Sequence, residues 1–153
     1  VIDGIDKKIL RSLISDARTP ILEIARNVGI SGAAIHQRLR KLEKSGLIAG
    51  SKFVINPKVL GYHTMAFIGV FLDKAMSNPK AVKQLEAIPE VIECHHITGS
   101  GDFMLKIISH DIAAYQRLML EKISEIDVVG GLQSMVILST FKEIKVMPLG
   151  DYG

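Results

Sequence analysis

The region from Thr19 to Ile48 contains the residues best suited to binding a polymer. It predicts two short amphipathic helices joined by a turn at Gly29. A helix that packs by one face and presents donors on the other is typical of helix-turn-helix units, whose second helix enters the major groove of DNA. Here the second helix has these long donors outside its apolar stripe: His36, Gln37, Arg38, Arg40, Lys41 and Lys44.

Three side chains in the middle of this helix are suited to reading bases. Glutamine pairs with adenine and arginine with guanine through two hydrogen bonds, and each such pair contributes about 1–3 kcal/mol of discrimination. We therefore predict base contacts from His36, Gln37 and Arg40. The ordinary alternative is a solvated basic helix face, but the preceding helix, the glycine turn and a following wing all favour the DNA interpretation.

Further residues of the same region are predicted to hold phosphates, which fixes the register of a protein on DNA without reading sequence. The basic members of this group are Arg38, Lys41, Lys44 and Lys52. The N-terminus of the helix adds free amides and a positive dipole end, which favour an anion or a close approach of the backbone. Its residues are Ser31, Gly32 and Ala33.

Three helices and a wing account for the first 60 residues. The first helix is predicted from about Asp6 to Ser15, with Asp3 or Asp6 accepting from free amides at its start. Thr19 and Pro20 predict the N-cap and first residue of the second helix. The inward stripes of the second and third helices are predicted to be Ile21, Ile24, Ala25 and Val28, then Ile35, Leu39 and Leu42.

A two-stranded wing is predicted from Leu47 to Ile55, around Ala49-Gly50-Ser51, and Asn56-Pro57 ends the module. The organisation predicted for the chain is therefore a winged helix-turn-helix domain over residues 1–60, a linker near 56–63, and a second domain over residues 61–153.

The second domain is predicted to contain two strand-helix-strand units in series. Its strands are predicted at 64–72, 91–98, 102–109 and about 133–145, with Gly130-Gly131 leading into the last. One helix starts at Asn78-Pro79 and the other is capped by Asp111. Residues of the second helix predicted to face inward are Ile112, Tyr115, Leu118, Met119, Ile123 and Ile126. The whole chain is thus α+β, with a C-terminal ferredoxin-like βαββαβ sandwich.

Both faces of the predicted sheet carry apolar residues. Helices cover one face of such a sandwich, so the other is expected to be polar in a monomer. In the first strand, however, Met65, Phe67 and Phe71 alternate with Ala66, Ile68, Val70 and Leu72. An uncovered apolar face normally marks an association surface. We therefore predict a homo-oligomer, at least a dimer, whose two-fold symmetry suits two DNA half-sites.

Charge is distributed unevenly along the chain. Residues 1–60 contain eleven Lys and Arg against five Asp and Glu, whereas residues 61–153 contain eight against eleven. This difference indicates that the first part meets a polyanion. No run approaches the ~20 apolar residues that span a bilayer, and no signal pattern opens the sequence. The lone Cys94 suits a reducing compartment, so we expect a cytoplasmic protein without a membrane partner.

The run Glu93-Cys94-His95-His96 invites a metal or catalytic interpretation. On a strand, Cys94 and His96 face one side while Glu93 and His95 face the other. Only two ligands then converge on either side, whereas a zinc site needs three or four. Cys94 and His96 also lack a third group to orient them for nucleophilic catalysis. We predict no metal site and no enzyme.

Four segments resemble the Lrp/AsnC family, the leucine- and asparagine-responsive "feast/famine" transcriptional regulators of bacteria and archaea. They are residues 5–10 (IDKKIL), 16–19 (DART), 29–48 (GISGAAIHQRLRKLEKSGLI) and 56–62 (NPKVLGY). The resemblance extends over essentially the whole chain, because the βαββαβ half resembles the family's effector-binding and oligomerisation domain. One departure is Ala34, where the family commonly has Thr or Ser in the recognition helix.

The resemblance implies dimers that assemble into octamers or open helical assemblies that wrap DNA, with a small effector, usually an amino acid, and no cofactor. It also implies an effector loop between the second and third strands, where turn amides would hold a carboxylate and Asp102 would accept from an α-ammonium. The implied residues are Thr98, Gly99, Ser100, Gly101 and Asp102, completed by Gln133, Ser134 and Ser139 of a neighbouring subunit. A glycine-rich hairpin capped by Asp102 is the alternative.

Together these features predict a nucleoid-associated, sequence-specific regulator that binds double-stranded DNA and responds to an amino acid or related small effector at a subunit interface. One alternative is an architectural DNA-wrapping protein without a small-molecule effector, which would discriminate little between sequences and depend steeply on salt. Another is an enzyme or metabolite-binding module of ferredoxin-like fold. The lack of a convergent acid–base constellation argues against the latter.

Overall fold

The computed structural model describes residues 2–73, 79–99 and 101–143. The chain divides into two compact units, one of which is Ile55–Phe141; the other contains the helix-turn-helix region. Within the described residues, every helix is too short or too polar to cross a bilayer.

The first unit contains three helices: α1 (Gly4–Ser15), α2 (Ile21–Val28) and α3 (Gly32–Lys44). A reciprocal capping box starts α1. The Asp3 carboxylate accepts from the Asp6 N–H at 2.8 Å, and the Asp6 carboxylate accepts from the Asp3 N–H at 3.1 Å. The predicted cap at Asp3 is confirmed, and α1 begins two residues earlier than predicted.

The start of α2 differs from the prediction. Its N-cap is Pro20, which makes no side-chain hydrogen bond. The Thr19 hydroxyl instead donates to the Asp16 carbonyl at 2.7 Å, so it closes the preceding turn and does not cap α2. At the other end, Gly29 adopts φ +80°, a left-handed conformation that glycine takes without steric cost. This turn sets the path from α2 to α3.

The predicted inward stripes of α2 and α3 form one small aliphatic core with α1. Its fully or nearly fully buried members are Ile9, Ile24, Ala25 and Ile35. Leu39 packs against this core and Leu42 is buried. The Ser31 hydroxyl caps α3 by accepting from the Ala34 N–H at 3.2 Å. The inner side of α3 is therefore held by packing.

The predicted wing does not form as paired strands, since residues 47–56 contain no strand. Phe53, Val54 and Ile55 are consecutive apolar residues with exposed fractions of 76%, 67% and 59%, so no alternating buried face is available. An isolated two-stranded hairpin without such a face is marginal in water. The Phe53 ring does contact the chain elsewhere, because the Arg18 guanidinium lies 5.0 Å from its centroid.

The second unit confirms the predicted ferredoxin-like sandwich. Its four strands are antiparallel in the order β2-β3-β1-β4, and two helices lie in the connections. The elements are β1 (Thr64–Leu72), α4 (Pro79–Glu86), β2 (Val91–His96), β3 (Phe103–Ser109), α5 (Ile112–Leu118) and β4 (Val129–Val136). Asn78, predicted to start α4, lies outside the described residues.

The core of this unit lies between the sheet and the two helices. Its largest fully buried members are Ile68, Val70, Leu85, Leu105, Ile107 and Ile123. A π-helical turn, Met119–Ile123, follows α5 and lets Leu118 and Ile123, five residues apart, both enter this core. Ile112 is 49% exposed and was wrongly predicted to face inward. It lies about 120° around the helix from Leu118.

The fourth strand starts earlier and ends earlier than predicted. Gly130 is the extra residue of a β-bulge, because Leu72 pairs with Val129 and Phe71 with Gly131. The Asp73 carboxylate occupies the space that a Cβ at Gly130 would take, so a larger residue there would have to displace that side chain. β4 ends at Val136, and the described residues that follow it include Leu138 and Phe141, which are almost fully exposed.

The strand register defines what lies on the uncovered sheet face. One row across the sheet contains Glu93, Lys106, Phe67 and Met135. The next row contains His95, Met104, Gly69 and Gln133. This face is therefore apolar over β1 and carries polar residues on both sides. Lys106 Nζ lies 3.2 Å from Glu93 Oε1. This ion pair offsets part of the free-energy cost of burying the Lys106 ammonium group.

Candidate functional site

The outer face of α3 gathers six of the residues predicted to contact DNA. They follow helical spacing and line a shallow depression of about 610 Å³: Ala33, His36, Gln37, Arg40, Lys41 and Lys44. All six are exposed. None of the five polar side chains has a hydrogen bond or ion pair to another residue of the described chain, so their donors are available to a ligand.

The packing of the inner face of α3 determines which residues lie on the outer face. Ile35 is fully buried and Leu42 is nearly so. These two anchors hold the inner face of α3 against the core, and the long polar side chains consequently point away from it. The result is a rigid helix with one packed face and one row of amide, imidazole, guanidinium and ammonium donors.

The three residues at the start of α3 have different surroundings. Ser31 is exposed and its hydroxyl is occupied as the N-cap. A Cβ on Gly32 would lie 3.6 Å from Leu22 Cδ2, so Gly32 packs toward α2 and not toward solvent. Ala33 belongs to the outer face. Lys52 is exposed in the segment after α3, next to Phe53.

Arg38 lies apart from the predicted phosphate-binding group. Its Nη1 is 2.6 Å from Asp3 Oδ2 and 2.8 Å from Asp6 Oδ1. The hydrogen bond from the Asp6 N–H and then that from Arg38 lower the pKa of Asp3, while Asp3 and then Asp6 raise the pKa of Arg38. The sequence did contain a signal for this placement, because Arg38 has helical spacing from both Ile35 and Leu42.

The turn between β2 and β3 uses Asp102 as part of the fold. Asp102 Oδ2 accepts from the Leu72 N–H at 2.8 Å. The Asp102 N–H also donates to the Val70 carbonyl at 2.9 Å, and its carbonyl accepts from the Ile97 N–H at 3.1 Å. One carboxylate oxygen therefore caps the end of β1, and the other accepts no hydrogen bond from the described residues, so it is left for a further donor.

Two glycines shape this turn. Gly99 has φ +103° with open space around it, and Gly101 has φ +121° beside the Val70 carbonyl and the Phe71 ring. Both values lie in the region that side chains disfavour, so neither position accepts another residue without strain. Thr98 is exposed. Ser100, also predicted to bind the effector, lies outside the described residues.

The predicted pocket residues on β4 do not lie together. Ser134 pairs with Ile68 on the helix-covered face, and its Oγ is hydrogen-bonded to the buried Tyr115 hydroxyl. Gln133 pairs with Gly69 on the uncovered face, where its side chain covers the glycine. Successive strand residues point to opposite faces, so Ser134 cannot line the same surface as Gln133. Ser139 follows β4 and is exposed.

The strand containing Cys94 has the facing predicted from its sequence. Cys94 packs against the helix-covered core, while Glu93 and His95 lie on the uncovered face. Burial raises the pKa of Cys94, which favours the protonated thiol over the thiolate. Hydrogen bonds, first from His95 and then from Lys106, lower the pKa of Glu93. Across the described residues, no group of three His, Cys, Asp or Glu could hold a metal ion.

Comparison with known families gives two matches that together cover most of the chain. Residues 2–49 match a winged helix-turn-helix DNA-binding domain. Residues 65–147 match the Lrp/AsnC ligand-binding domain. The first match contains the α3 face, and the second contains the sheet and the β2–β3 turn.

Individual relatives agree with these matches over nearly their full length. The regulatory protein AsnC of Haemophilus influenzae is 40% identical over 135 residues, 88% of this chain and 90% of that protein. A proline dehydrogenase transcriptional activator of Rhodobacter capsulatus is 38% identical over 94% of both chains. Among solved structures, Escherichia coli AsnC has a TM-score of 0.91 at 33% identity, covering 97% of this chain and 99% of that one. An L-Met complex of a Neisseria meningitidis transcriptional regulator has a TM-score of 0.90 at 27% identity, with 97% of each chain covered.

Proposed function

The chain belongs to the Lrp/AsnC family of transcriptional regulators, and we propose that it recognises specific DNA sequences through the outer face of α3. The observation that carries this proposal is the row of polar side chains on that face, all exposed and none with a partner among the described residues. The relatives are regulators, and this chain is likewise a regulator and not an enzyme.

The roles on the α3 face divide according to side-chain chemistry. His36, Gln37 and Arg40 read base edges in the major groove, where amide and guanidinium groups form paired hydrogen bonds. Lys41 and Lys44, one turn further along, hold phosphates together with Lys52 and the amides at Ser31, Gly32 and Ala33. Because the proposed partner is DNA, we propose that the protein acts at the nucleoid, in the cytoplasm.

The uncovered sheet face is the proposed site of self-association. Phe67, Phe71 and Met104 lie half-buried on this face, which no described helix covers. A second copy would bury these residues and place a second α3 at a neighbouring half-site. Association of such dimers into an octamer would extend the DNA-binding surface.

An amino acid is the proposed effector, bound at the β2–β3 turn. Thr98, Gly99 and Gly101 supply turn amides for its carboxylate, and the second carboxylate oxygen of Asp102 accepts from its α-ammonium. Gln133, on the uncovered sheet face, contributes from a neighbouring subunit. The L-Met complex of the Neisseria relative supports this class of ligand. The effector can shift assembly or DNA affinity only by binding one state more tightly than another.

Selection of duplexes from a random library tests the DNA-reading function. We expect one sequence to be enriched, with affinity about a thousandfold or more above that for a scrambled duplex of equal length. Equal affinities with a steep dependence on salt would favour the architectural alternative and reject sequence reading.

The effector is tested separately by a thermal-shift screen against the twenty amino acids, with light scattering on the same samples. We expect at least one amino acid to raise the unfolding temperature and to change the mass of the assembly. If none does either, the effector proposal is rejected, and the DNA-binding proposal is judged on the selection experiment alone.

A further inference from the structure

Arg38 lies on the packed side of α3, although it is charged. It follows Ile35 by three residues and precedes Leu42 by four, so it shares their stripe and not that of Arg40. Its side chain is 30% exposed. Arg38 therefore occupies the edge of the small core, at the side of α3 that faces the start of α1.

The guanidinium of Arg38 joins the middle of α3 to the first turn of α1. Nη1 bonds to one oxygen of each carboxylate, Asp3 Oδ2 and Asp6 Oδ1. The other oxygen of each carboxylate accepts a backbone N–H of the capping box. The Asp6 side chain is only 7% exposed. Charge-assisted bonds of this length are among the stronger ones in proteins, and a buried carboxylate depends on its cation.

We propose that Arg38 is a positioning residue for DNA recognition, which fixes the rotation of α3 by bridging Asp3 and Asp6. This role rests on the proposed reading of DNA by Gln37 and Arg40. A rotation of about 10° moves the tip of a side chain by about 1 Å, given the radius of a helix with its side chains. A shift of that size weakens a hydrogen bond severely, so a small error in rotation removes base contacts and spares long, flexible phosphate contacts.

A positioning residue and a phosphate contact can be distinguished by the salt dependence of binding. Each phosphate contact contributes equally on every sequence and adds about 0.9 to the slope of log affinity against log salt. A positioning residue contributes to the preference for one sequence and leaves that slope unchanged. The preference and the slope are therefore two independent measurements on the same variants.

The experiment compares Arg38→Met, Asp3→Asn, the double variant and Lys41→Met in the full chain. Arg38→Met removes the charge while keeping the length of the side chain. Asp3→Asn keeps a good N-cap and removes one of the two charges that Arg38 binds. Lys41→Met is the matched loss of a cation from the outer face. Affinities for the selected and the scrambled duplex are measured over about 50–200 mM salt, with unfolding temperatures recorded for each variant.

Arg38→Met is expected to reduce the preference for the selected duplex by about tenfold, the size of one lost base contact. Asp3→Asn should reduce that preference by a smaller factor, because Arg38 keeps its bond to Asp6. The salt slopes of both variants should match the parent, whereas Lys41→Met should reduce the slope by about 0.9 on both duplexes. The double variant should resemble Arg38→Met, because Arg38→Met already removes the bond to Asp3 that Asp3→Asn removes. Asp3→Asn decides the outcome if Arg38→Met does not fold.

Two results would overturn the proposal. The first is a reduced salt slope for Arg38→Met with normal binding by Asp3→Asn, since that combination identifies a phosphate contact. The second is an unchanged preference in both variants, which would make the bridge purely structural. A parent chain that enriches no duplex would instead reject sequence reading by α3, and this role with it.

Discussion

The outer face of α3 and the β2–β3 turn are both proposed ligand sites, but their polar groups differ in what they already do. Gln37 and Arg40 have no partner among the described residues, whereas Asp102 holds the end of β1 through the Leu72 N–H. Removing a group without a partner changes binding alone. Removing a group that the fold uses also leaves a backbone donor without its acceptor. Substitutions on the α3 face should therefore change DNA binding without changing the stability of the fold. Substitutions of Asp102 should change both effector binding and stability.

The largest effect on DNA binding is expected from a substitution in the small core that holds α3 in place. Ile35→Ala removes a fully buried side chain from a core with few members, and such a change costs about 2–5 kcal/mol. We expect the helix-turn-helix unit to unfold and DNA binding to be lost, while the unit Ile55–Phe141 keeps its sheet. Hydrogen exchange resolved along the chain measures the two units separately. Equal loss of protection in both would show that they are not independent.

Arg40→Ala should separate binding from folding. Because the Arg40 guanidinium has no partner in the described chain, we expect an unchanged unfolding temperature and a loss of about 1–3 kcal/mol in affinity for the selected duplex. Lys83→Ala is the control, since it removes the same charge from an exposed position on α4. Fluorescence anisotropy measures the affinities. Undiminished affinity in Arg40→Ala would remove this residue from the readout.

The β2–β3 turn requires a pair of substitutions at Asp102. Asp102→Ala removes the acceptor for the Leu72 N–H and should lower stability by about 1 kcal/mol, besides abolishing the effector response. Asp102→Asn keeps an acceptor for that N–H and removes the charge proposed to bind an α-ammonium. We expect normal stability and no effector response for Asp102→Asn, as measured by the thermal shift with the amino acid that stabilises the parent. A parental shift in that variant would reject the α-ammonium contact.

Most of the fold was predictable because it follows local patterns. β1 occupies the predicted residues, and the buried stripes of α2 and α3 follow from helical spacing. The outer face of α3 was predictable for the same reason, since residues opposite a buried stripe are exposed. A site that lies on one helix can be recognised from the helical spacing of its residues alone.

The features that sequence analysis missed depend on contacts between distant residues. Asp102 caps Leu72, thirty positions away, and Arg38 binds Asp3, thirty-five positions away. Beside the bulge at Gly130, the side chain of Asp73, fifty-seven positions away, occupies the space that a Cβ would take. The periodic spacing of apolar residues along a sequence carries no information about such distant pairs. The position of Arg38 within the apolar stripe was the one local signal available.

The smallest expected effect concerns acid. The Asp6 N–H and the Arg38 guanidinium lower the pKa of Asp3 below its ordinary value of 3.8. A carboxyl whose pKa is lower in the folded state stabilises the fold fully above its unfolded pKa. That contribution disappears as pH falls through the folded value.

The helix-turn-helix unit should therefore lose a small part of its stability only below pH 3.8, where Asp3 takes up its proton. Asp3→Asn, which cannot be protonated there, should have a flatter acid profile than the parent, and the two profiles should converge at the lowest pH. Unfolding by urea monitored at each pH gives both profiles. Parallel profiles for the two proteins would show that neither the Asp6 N–H nor the Arg38 guanidinium stabilises the Asp3 carboxylate, and the Asp3 half of the bridge would then have no energetic basis.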